Sequence, residues 1–259
     1  AMDAGSTAVD VQLEQGGVRR IRVADDGSGI PKDELPLALE RHATSKIASL
    51  DDLERVGTMG FRGEALAAIA AVSRMSITSR ADAEPHAWRI DADPRELAPA
   101  ALNHGTVVDV ADLYFNTPAR RRFLRTPATE QGRCVEVVRQ LALAHPGVGF
   151  KVTCDGRVTL DLRRGQGPRE RALEVLGREL EPELIEVGAD HLDTGGALSV
   201  WGLIGTPEIA RATAGAMYIF VRGRPVRDRT LQHAVREAYR GLIEPGRYPT
   251  AVVMIEMDP

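Results

Sequence analysis

The stretch RVADDGSGIP, residues 22–31, contains an aspartate and two glycines that could hold a planar ligand. Alternating apolar residues before it predict a strand that ends near Asp25, so the carboxylate would lie at a strand end. Such a carboxylate can accept a hydrogen bond from an exocyclic amine, and Gly27 and Gly29 would let the backbone approach a flat ring closely. The alternative is an ordinary Asp-Gly turn, which reverses a chain and binds nothing.

A second glycine-bearing stretch, GFRGEALAAI at residues 60–69, leads directly into an apolar helix. The first N–H groups of a helix lack intrahelical partners and lie at the positive end of its dipole, so Gly60 and Gly63 would open a phosphate site. The spacing matches neither the P-loop nor the dinucleotide-binding fingerprint. A helix start broken by glycine, with Arg62 and Glu64 as solvated first-turn residues, is the alternative.

The loop RHATSKI, residues 41–47, lies between these two stretches and offers hydroxyls and an ammonium group. Lys46 could meet a phosphate as a point charge. Thr44 and Ser45 could equally form a local turn or cap, which is the simpler interpretation of those hydroxyls taken alone.

Two stretches of the chain are rich in arginine. Because the net charge of the chain is −4, binding of a polyanion would need such local clusters. VRGRPVRDR, at 221–229, has a density typical of sequence-independent phosphate contact. Arg227 could instead pair with Asp228 or Asp112 as surface charge. The arginines of this stretch are Arg222, Arg224, Arg227 and Arg229.

The other stretch, YFNTPARRRFLR at residues 114–125, carries Arg120, Arg121, Arg122 and Arg125. A solvated basic turn is a simpler interpretation than direct catalysis, and its residues alone do not define a role. Aromatic residues make up only 4% of the chain, which argues against an extended stacking platform for single strands.

The elements that must position these residues follow from hydrophobic periodicity over the 259 residues, which predicts an α+β protein of two domains. The linker candidate RRGQGPRE, at 163–170, divides a domain over 1–166 from one over 167–259. Strands are predicted within 7–27, 73–80, 105–113, 149–162, 183–188, 197–204 and 249–257, a strand and turn within 217–228, and helices at 32–42, 63–72, 129–145, 170–180 and up to about 241.

Several function classes are excluded by what the sequence lacks. Cys134 and Cys154 are too few for a disulfide framework or a zinc site, and the six histidines show no metal-ligand spacing, so no metal site is predicted. With no apolar run of about 20 residues and no signal peptide, the sequence favours a cytoplasmic protein without a membrane partner.

Taken in order, DDGSGIPKDEL, RHATSKI, GFRGEALAAI and YFNTPARRRFL closely resemble the N-terminal ATPase region of the MutL family of DNA mismatch repair proteins. This family belongs to the GHKL group with gyrase B, Hsp90 and histidine kinases, but GFRGEAL and NTPAR are specific to its MutL branch and speak against a chaperone or topoisomerase subunit. The resemblance runs from Asp3-Ala4-Gly5 to residue 259. It implies a GHKL (Bergerat-type) α/β sandwich followed by a domain similar to domain 2 of ribosomal protein S5.

The resemblance also implies roles for individual residues. Asp25 would bind the adenine amine of ATP, supported by a hydrogen bond from Thr106, and Asp26 stands where the family commonly has Asn. Arg229 would be the arginine implicated in non-specific DNA binding, and residue 222, often Asn in the family, would add to that patch. The remaining nucleotide contacts would come from Gly27, Gly29, Thr44, Ser45, Lys46, Gly60, Phe61, Arg62, Gly63, Glu64, Ala65 and Leu66.

The family's catalytic motif, E-x-x-x-N-x-x-D-A-G, aligns its last three residues with Asp3-Ala4-Gly5. Its Mg²⁺-binding Asn would immediately precede Ala1, its general-base Glu would lie four residues earlier, and the lysine of VHPAK would follow residue 259. We therefore expect no catalytic residue in this chain. It is either the ordered core of an ATP-dependent switch or a truncated form that contacts DNA and hydrolyses little.

The function implied by the resemblance is that of an ATPase switch in DNA mismatch repair. ATP binding would order a lid around residues 44–60 and drive homodimerisation through the N-terminal region, and slow hydrolysis would reset the switch. The implied partners are DNA, the mismatch-recognition protein MutS, and a downstream nuclease and helicase.

Overall fold

The computed structural model describes residues 1–40, 64–189 and 198–257, and the chain divides into two compact units. The first unit comprises residues 1–138 and 148–164, and the second comprises residues 139–147 and 165–259. The main part of the second unit begins at residue 165, whereas the sequence predicted a boundary at residue 166. A short earlier segment, residues 139–147, also belongs to the second unit.

Thirteen strands lie in the described ranges: β1 Ala8–Glu14, β2 Arg20–Asp25, β3 Arg74–Arg80, β4 Ala87–Asp91, β5 Leu97–Ala100, β6 Gly105–Ala111, β7 Gly149–Cys154, β8 Arg157–Leu162, β9 Leu184–Ala189, β10 Leu198–Gly205, β11 Met217–Val221, β12 Arg224–Pro225 and β13 Ala251–Met257. The α-helices there are α1 Leu35–Ala38, α2 Ala65–Ala70, α3 Pro118–Arg121, α4 Pro127–Ala144, α5 Pro168–Leu176 and α6 Arg229–Ala238. None of these helices combines the length and the apolar character that crossing a bilayer requires.

The first unit is built on an eight-stranded sheet in the order β5-β4-β3-β6-β2-β1-β7-β8. β1 and β7 run parallel, and the other neighbouring strands run antiparallel. Every second residue of a strand points to the same face of the sheet. On one face of this sheet, Met75, Ile77 and Val110 pack against Leu35 and Leu39. The register therefore directs every second residue of β2, β3 and β6 toward the helices, including the last residue of β2.

The second unit has a five-stranded sheet in the order β12-β11-β13-β10-β9, in which β11 and β13 run parallel. Phe220, Leu203 and Val252 are almost fully buried in its core. Arg171 of α5 is fully buried, and its guanidinium donates to the Gln166 side chain at 2.7 Å and to the Ala142 carbonyl at 3.1 Å. Burial lowers the pKa of Arg171 below its ordinary value.

Several segments differ from the sequence predictions. The helix expected over 170–180 ends at Leu176, because Gly177 adopts φ of 120° and a 3-10 segment follows over Arg178–Glu183. The helix expected over 32–42 is a 3-10 turn followed by the four residues of α1, and its last two residues lie outside the described ranges. The short strands β4 and β5 were not predicted; they owe their structure to pairing with β3 and with each other.

Candidate nucleotide site and basic surfaces

Asp25 is the last residue of β2, and its carboxylate is held from two segments. Its Oδ1 accepts hydrogen bonds from the Gly27 N–H at 2.9 Å and from the Ser6 hydroxyl at 3.2 Å. Its Oδ2 lies 3.6 Å from the amino group of Ala1 and accepts no hydrogen bond from the described residues. With a side chain only 9% exposed, the carboxylate is fixed through one oxygen while the other retains lone pairs for an exocyclic amine.

A pair of buried hydroxyls lies beside this strand end. Thr106 of β6 stands opposite both Asp25 of β2 and Ser79 of β3, and its hydroxyl lies 2.8 Å from the Ser79 hydroxyl. The Ser79 oxygen also accepts a hydrogen bond from the Ile30 N–H at 2.7 Å. No direct hydrogen bond joins the Thr106 hydroxyl to the Asp25 carboxylate, whose Oδ1 accepts from Gly27 and Ser6, and the support expected from Thr106 stays a prediction.

The two glycines of the D-x-G-x-G stretch are required by the chain itself. A Cβ at Gly27 would lie 2.8 Å from the Ala4 Cβ and 2.8 Å from the Ser6 Oγ. Gly29 adopts φ of 75°, and a Cβ there would collide with the Arg80 carbonyl oxygen. Both positions therefore admit only glycine without local rearrangement, because side-chain atoms of Ala4 and Ser6 approach Gly27 and the backbone of Arg80 approaches Gly29.

Asp26 joins the end of β2 to the start of β1. Its carboxylate accepts hydrogen bonds from the Thr7 N–H at 2.7 Å, the Thr7 hydroxyl at 2.6 Å and the Ala8 N–H at 2.8 Å. Partial burial raises the pKa of Asp26, but these hydrogen bonds outweigh it and hold the pKa below its ordinary value. Asp26 therefore has a structural role: it fixes the start of β1 against the end of β2, next to the candidate ligand-binding residue Asp25.

Ser6 and Ser79 are the site residues that the sequence interpretation missed. Met75, Ile77 and Ser79 occupy every second position of β3 and therefore share one face of the strand. Their spacing in the sequence already indicates that Ser79 is a polar side chain on an otherwise apolar face. Ser6 carried no comparable signal, because its role depends on the approach of residues 4–6 to the end of β2.

The predicted phosphate end lies mostly outside the described residues. Of the residues assigned to it, Glu64 precedes α2, and Ala65 and Leu66 form the first turn of that helix. Thr44, Ser45, Lys46, Gly60, Phe61, Arg62 and Gly63 lie outside the described ranges. Within those ranges, no group of three or more His, Cys, Asp or Glu side chains could hold a metal ion.

The second arginine stretch forms a turn at the edge of the second unit. Arg222, at φ of 50°, and Gly223, at φ of 70°, connect β11 to β12, and α6 starts at Arg229. The Asp228 carboxylate caps α6 by accepting hydrogen bonds from the N–H groups of Thr230 and Leu231 at 2.8 and 2.9 Å. We call Arg222, Arg224, Arg227 and Arg229, all exposed, the basic turn.

The alternative that Arg227 serves only as a paired surface charge is not supported by its surroundings. Asp228 is engaged as a helix cap, and Asp112 pairs with Arg74 at 3.5 Å. Among the described residues, the guanidinium groups of Arg222, Arg227 and Arg229 take part in no ion pair, so their charge is available to an anion.

Comparisons with known proteins agree along the whole chain. The family described as "Histidine kinase-, DNA gyrase B-, and HSP90-like ATPase" matches residues 1–97, and the family described as "DNA mismatch repair protein, C-terminal domain" matches residues 172–259. The DNA mismatch repair protein MutL of Thiobacillus denitrificans is 50% identical over 262 residues, and that of Herminiimonas arsenicoxydans is 48% identical over 264 residues. The alignments cover 100% of this chain but 43% and 42% of those relatives.

Two solved structures share the fold over nearly all of the chain. The Aquifex aeolicus MutL ATPase domain complexed with ADP matches with a TM-score of 0.72 and 26% identity, covering 100% of this chain and 87% of that one. The N-terminal domain of a DNA repair protein matches with a TM-score of 0.79 and 24% identity, covering 99% of this chain and 80% of that one. These matches confirm the predicted fold class, a GHKL ATPase domain followed by the mismatch-repair domain.

Proposed function

Because this chain belongs to the MutL family of DNA mismatch repair proteins, we propose that it is the nucleotide-dependent switch of a mismatch repair protein. The observation that carries the proposal is the buried Asp25 carboxylate, whose Oδ1 accepts two hydrogen bonds and whose Oδ2 accepts none from the described residues, at the strand end where the family binds adenine. A GHKL ATPase fold with this carboxylate supports binding of ATP. The location that we propose is the cytoplasm, because that is where the DNA of a bacterium lies.

The nucleotide would be held at two ends. Asp25 would accept the hydrogen bond of the adenine amine, with Gly27, Gly29 and Thr106 around the base. Backbone N–H groups from Gly60 to Leu66, together with Thr44, Ser45 and Lys46, would hold the phosphates. That the Aquifex aeolicus relative is complexed with ADP supports this assignment.

Hydrolysis would need a general base within hydrogen-bond reach of a water and a metal ion that neutralises the phosphates. The part of the reaction that we propose for Asp25 and the residues around it is to bind and orient the nucleotide.

The nucleotide state would control DNA and protein contacts. We propose that ATP binding drives homodimerisation through the N-terminal region, and that the basic turn contacts the DNA backbone without sequence preference. The exposed guanidinium groups of Arg222, Arg227 and Arg229, free of ion pairs within the described residues, support the DNA contact. MutS and a downstream nuclease and helicase would be the protein partners.

Asp25→Asn tests the adenine assignment. An amide offers the adenine amine a weaker acceptor and one oxygen fewer, so nucleotide affinity in a fluorescence titration should fall by about tenfold or more. Asp161→Asn removes a carboxylate from exposed β8 and should leave affinity unchanged. Undiminished ATP affinity of Asp25→Asn would refute the assignment.

Arg229→Glu tests the basic turn. Loss of a phosphate contact should weaken DNA binding equally for unrelated sequences and reduce the slope of log K against log salt by about 0.9 for duplex DNA. Arg157→Glu makes the same charge change on β8 and should leave the slope unaltered. A slope that does not change in Arg229→Glu would place the DNA contact elsewhere.

A further inference from the structure

The Ser79 hydroxyl lies behind the strand end of Asp25 and is shielded from solvent. Ser79 is 1% exposed, and its neighbour Thr106 on β6 is 8% exposed. The register places Thr106 opposite both Asp25 and Ser79, so the three side chains point to the same face of the sheet. Thr106 therefore stands between Ser79 and Asp25 in a row of three polar side chains.

The contacts of Ser79 use the whole hydrogen-bonding capacity of its hydroxyl group. A hydroxyl has one proton to donate and two lone pairs that accept. The Ser79 oxygen accepts from the Ile30 N–H at 2.7 Å, and its proton goes to the Gly105 carbonyl at 3.0 Å, because a carbonyl oxygen can only accept. One lone pair remains for the Thr106 hydroxyl at 2.8 Å. All three contacts are satisfied together when Thr106 donates its proton to Ser79.

The direction of this proton decides what the Thr106 hydroxyl offers to a ligand. Within the described ranges, Ser79 is the hydrogen-bond partner of the Thr106 hydroxyl. In the opposite arrangement Ser79 would donate to Thr106, and the Gly105 carbonyl would lose the hydrogen bond from Ser79, which is costly for a buried group. With its proton held by Ser79, the Thr106 hydroxyl keeps only lone pairs for the space in front of it.

We propose that Ser79 is a positioning residue, which holds the Thr106 hydroxyl as a hydrogen-bond acceptor and thereby sets the base selectivity of the nucleotide site. The strand end then offers two acceptors, the Asp25 Oδ2 and the Thr106 hydroxyl oxygen. It favours a base with an amino group, such as adenine, over a base with a carbonyl oxygen at the same ring position, such as hypoxanthine. This inference rests on the proposed adenine binding at Asp25, and it adds a residue that does not touch the nucleotide.

Two acceptors reject a carbonyl group more strongly than one acceptor does. A carbonyl oxygen that faces only acceptors stays unpaired in a buried site, and an unpaired buried polar group costs more than a hydrogen bond contributes. A Thr106 hydroxyl with a free proton could rotate and donate to that oxygen, which would remove part of the cost. Ser79 opposes this rotation because its lone pair holds the proton.

Ser79→Ala tests the inference when the dissociation constants of ATP and of ITP, whose base is hypoxanthine, are measured by competition against a fluorescent ATP analogue. Loss of the Ser79 acceptor frees the Thr106 proton, so the preference for ATP over ITP should fall by roughly fivefold. A Ser79 with a purely structural role would weaken both nucleotides alike and leave their ratio unchanged. Ser76→Ala is the matched control, because Ser76 is a buried serine on the other face of β3 and should not alter the ratio.

The Thr106→Val background shows whether Ser79 acts through Thr106. In a double-mutant cycle, Ser79→Ala should change the ratio of the two dissociation constants in the parent but not in Thr106→Val, which has no hydroxyl to direct. An equal change in both backgrounds would refute the inference. If Ser79→Ala does not fold, Ser79→Cys takes its place: it keeps nearly the same shape, its sulfur accepts only weakly, and the ratio should fall in the same direction.

The outcomes also distinguish this inference from the proposed function. If Asp25→Asn loses affinity for ATP while the folded Ser79 variant keeps the ratio of the parent, Ser79 has only a structural role and the proposed function stands. If Asp25→Asn binds ATP as tightly as the parent does, the adenine assignment fails, and the inference about Ser79 fails with it.

Discussion

The strand end around Asp25 and the basic turn of Arg222–Arg229 are the two regions proposed to bind ligands, and their construction is opposite. At the strand end, Asp25, Ser79 and Thr106 are mostly buried and hydrogen-bonded to neighbours. At the basic turn, the arginines are exposed, and the one carboxylate within it, Asp228, serves the helix.

This difference indicates how each region can recognise its ligand. A buried, hydrogen-bonded carboxylate distinguishes ligands by geometry, because a group that cannot pair with it leaves it desolvated. Exposed guanidinium groups distinguish ligands by charge, tolerate many orientations and lose affinity in salt. A small ring is suited to the first kind of site and a long polyanion of any sequence to the second.

The largest effect should come from filling the strand end with one methyl group. Gly105 adopts φ of 84°, and a Cβ there would collide with the Asp25 carbonyl oxygen, so Gly105→Ala should lower the free energy of unfolding by about 3 kcal/mol or more. Gly156→Ala is the matched control, because Gly156 has φ of 79° with open space around it and should cost only about 1 kcal/mol. Equal losses in urea denaturation would mean that the strand end is not tightly constructed.

A smaller effect should follow from removing one hydroxyl of the buried pair. Thr106→Val leaves Ser79 without its neighbour and should lower the free energy of unfolding by about 1 to 2 kcal/mol in urea denaturation. Thr159→Val makes the same change on exposed β8 and should stay within about 0.5 kcal/mol of the parent. Similar values for both variants would remove the contrast between buried and exposed polar groups.

At the basic turn, a charge can be removed with a gain in stability. Arg222 adopts φ of 50°, which Asn tolerates better than Arg, so Arg222→Asn should raise the free energy of unfolding by roughly 0.5 kcal/mol while weakening DNA binding. Arg224→Asn removes the same charge outside the left-handed region and should weaken binding without that gain. A loss of stability in Arg222→Asn would show that its guanidinium supports the fold.

The smallest effect concerns acid stability through Asp26. Because its pKa is lowered in the folded state, its contribution is complete above the unfolded value of about 4 and is lost as the pH falls through the folded value. The parent should therefore lose more stability below pH 4 than Asp26→Asn does, measured by thermal unfolding across pH. If the two proteins lost the same stability below pH 4, the hydrogen bonds to Asp26 would contribute nothing to the free energy of unfolding.

The sequence predicted most strands and helices because the buried faces repeat with clear periods, as Val9, Val11 and Leu13 do in β1. It also predicted the fold class and the family, both confirmed, since the ordered glycine-bearing motifs are specific. It did not predict the direction of the Thr106 hydroxyl or the role of Ser6, because these depend on which side chains meet across segments far apart in the chain. The nucleotide and DNA assignments remain predictions.

The parallel pairing of β1 with β7 has a consequence for how the protein folds during translation. Ala8 lies beside Gly149 in this pair, so the first strand waits for a neighbour made 141 residues later. At ribosomal speeds that interval is on the order of ten seconds, during which one edge of β1 has no partner from its own sheet. An open edge on a nascent chain is a template for wrong pairing. The sheet of the first unit is thus completed late in translation, and the edge of β1 stays open until β7 has been made.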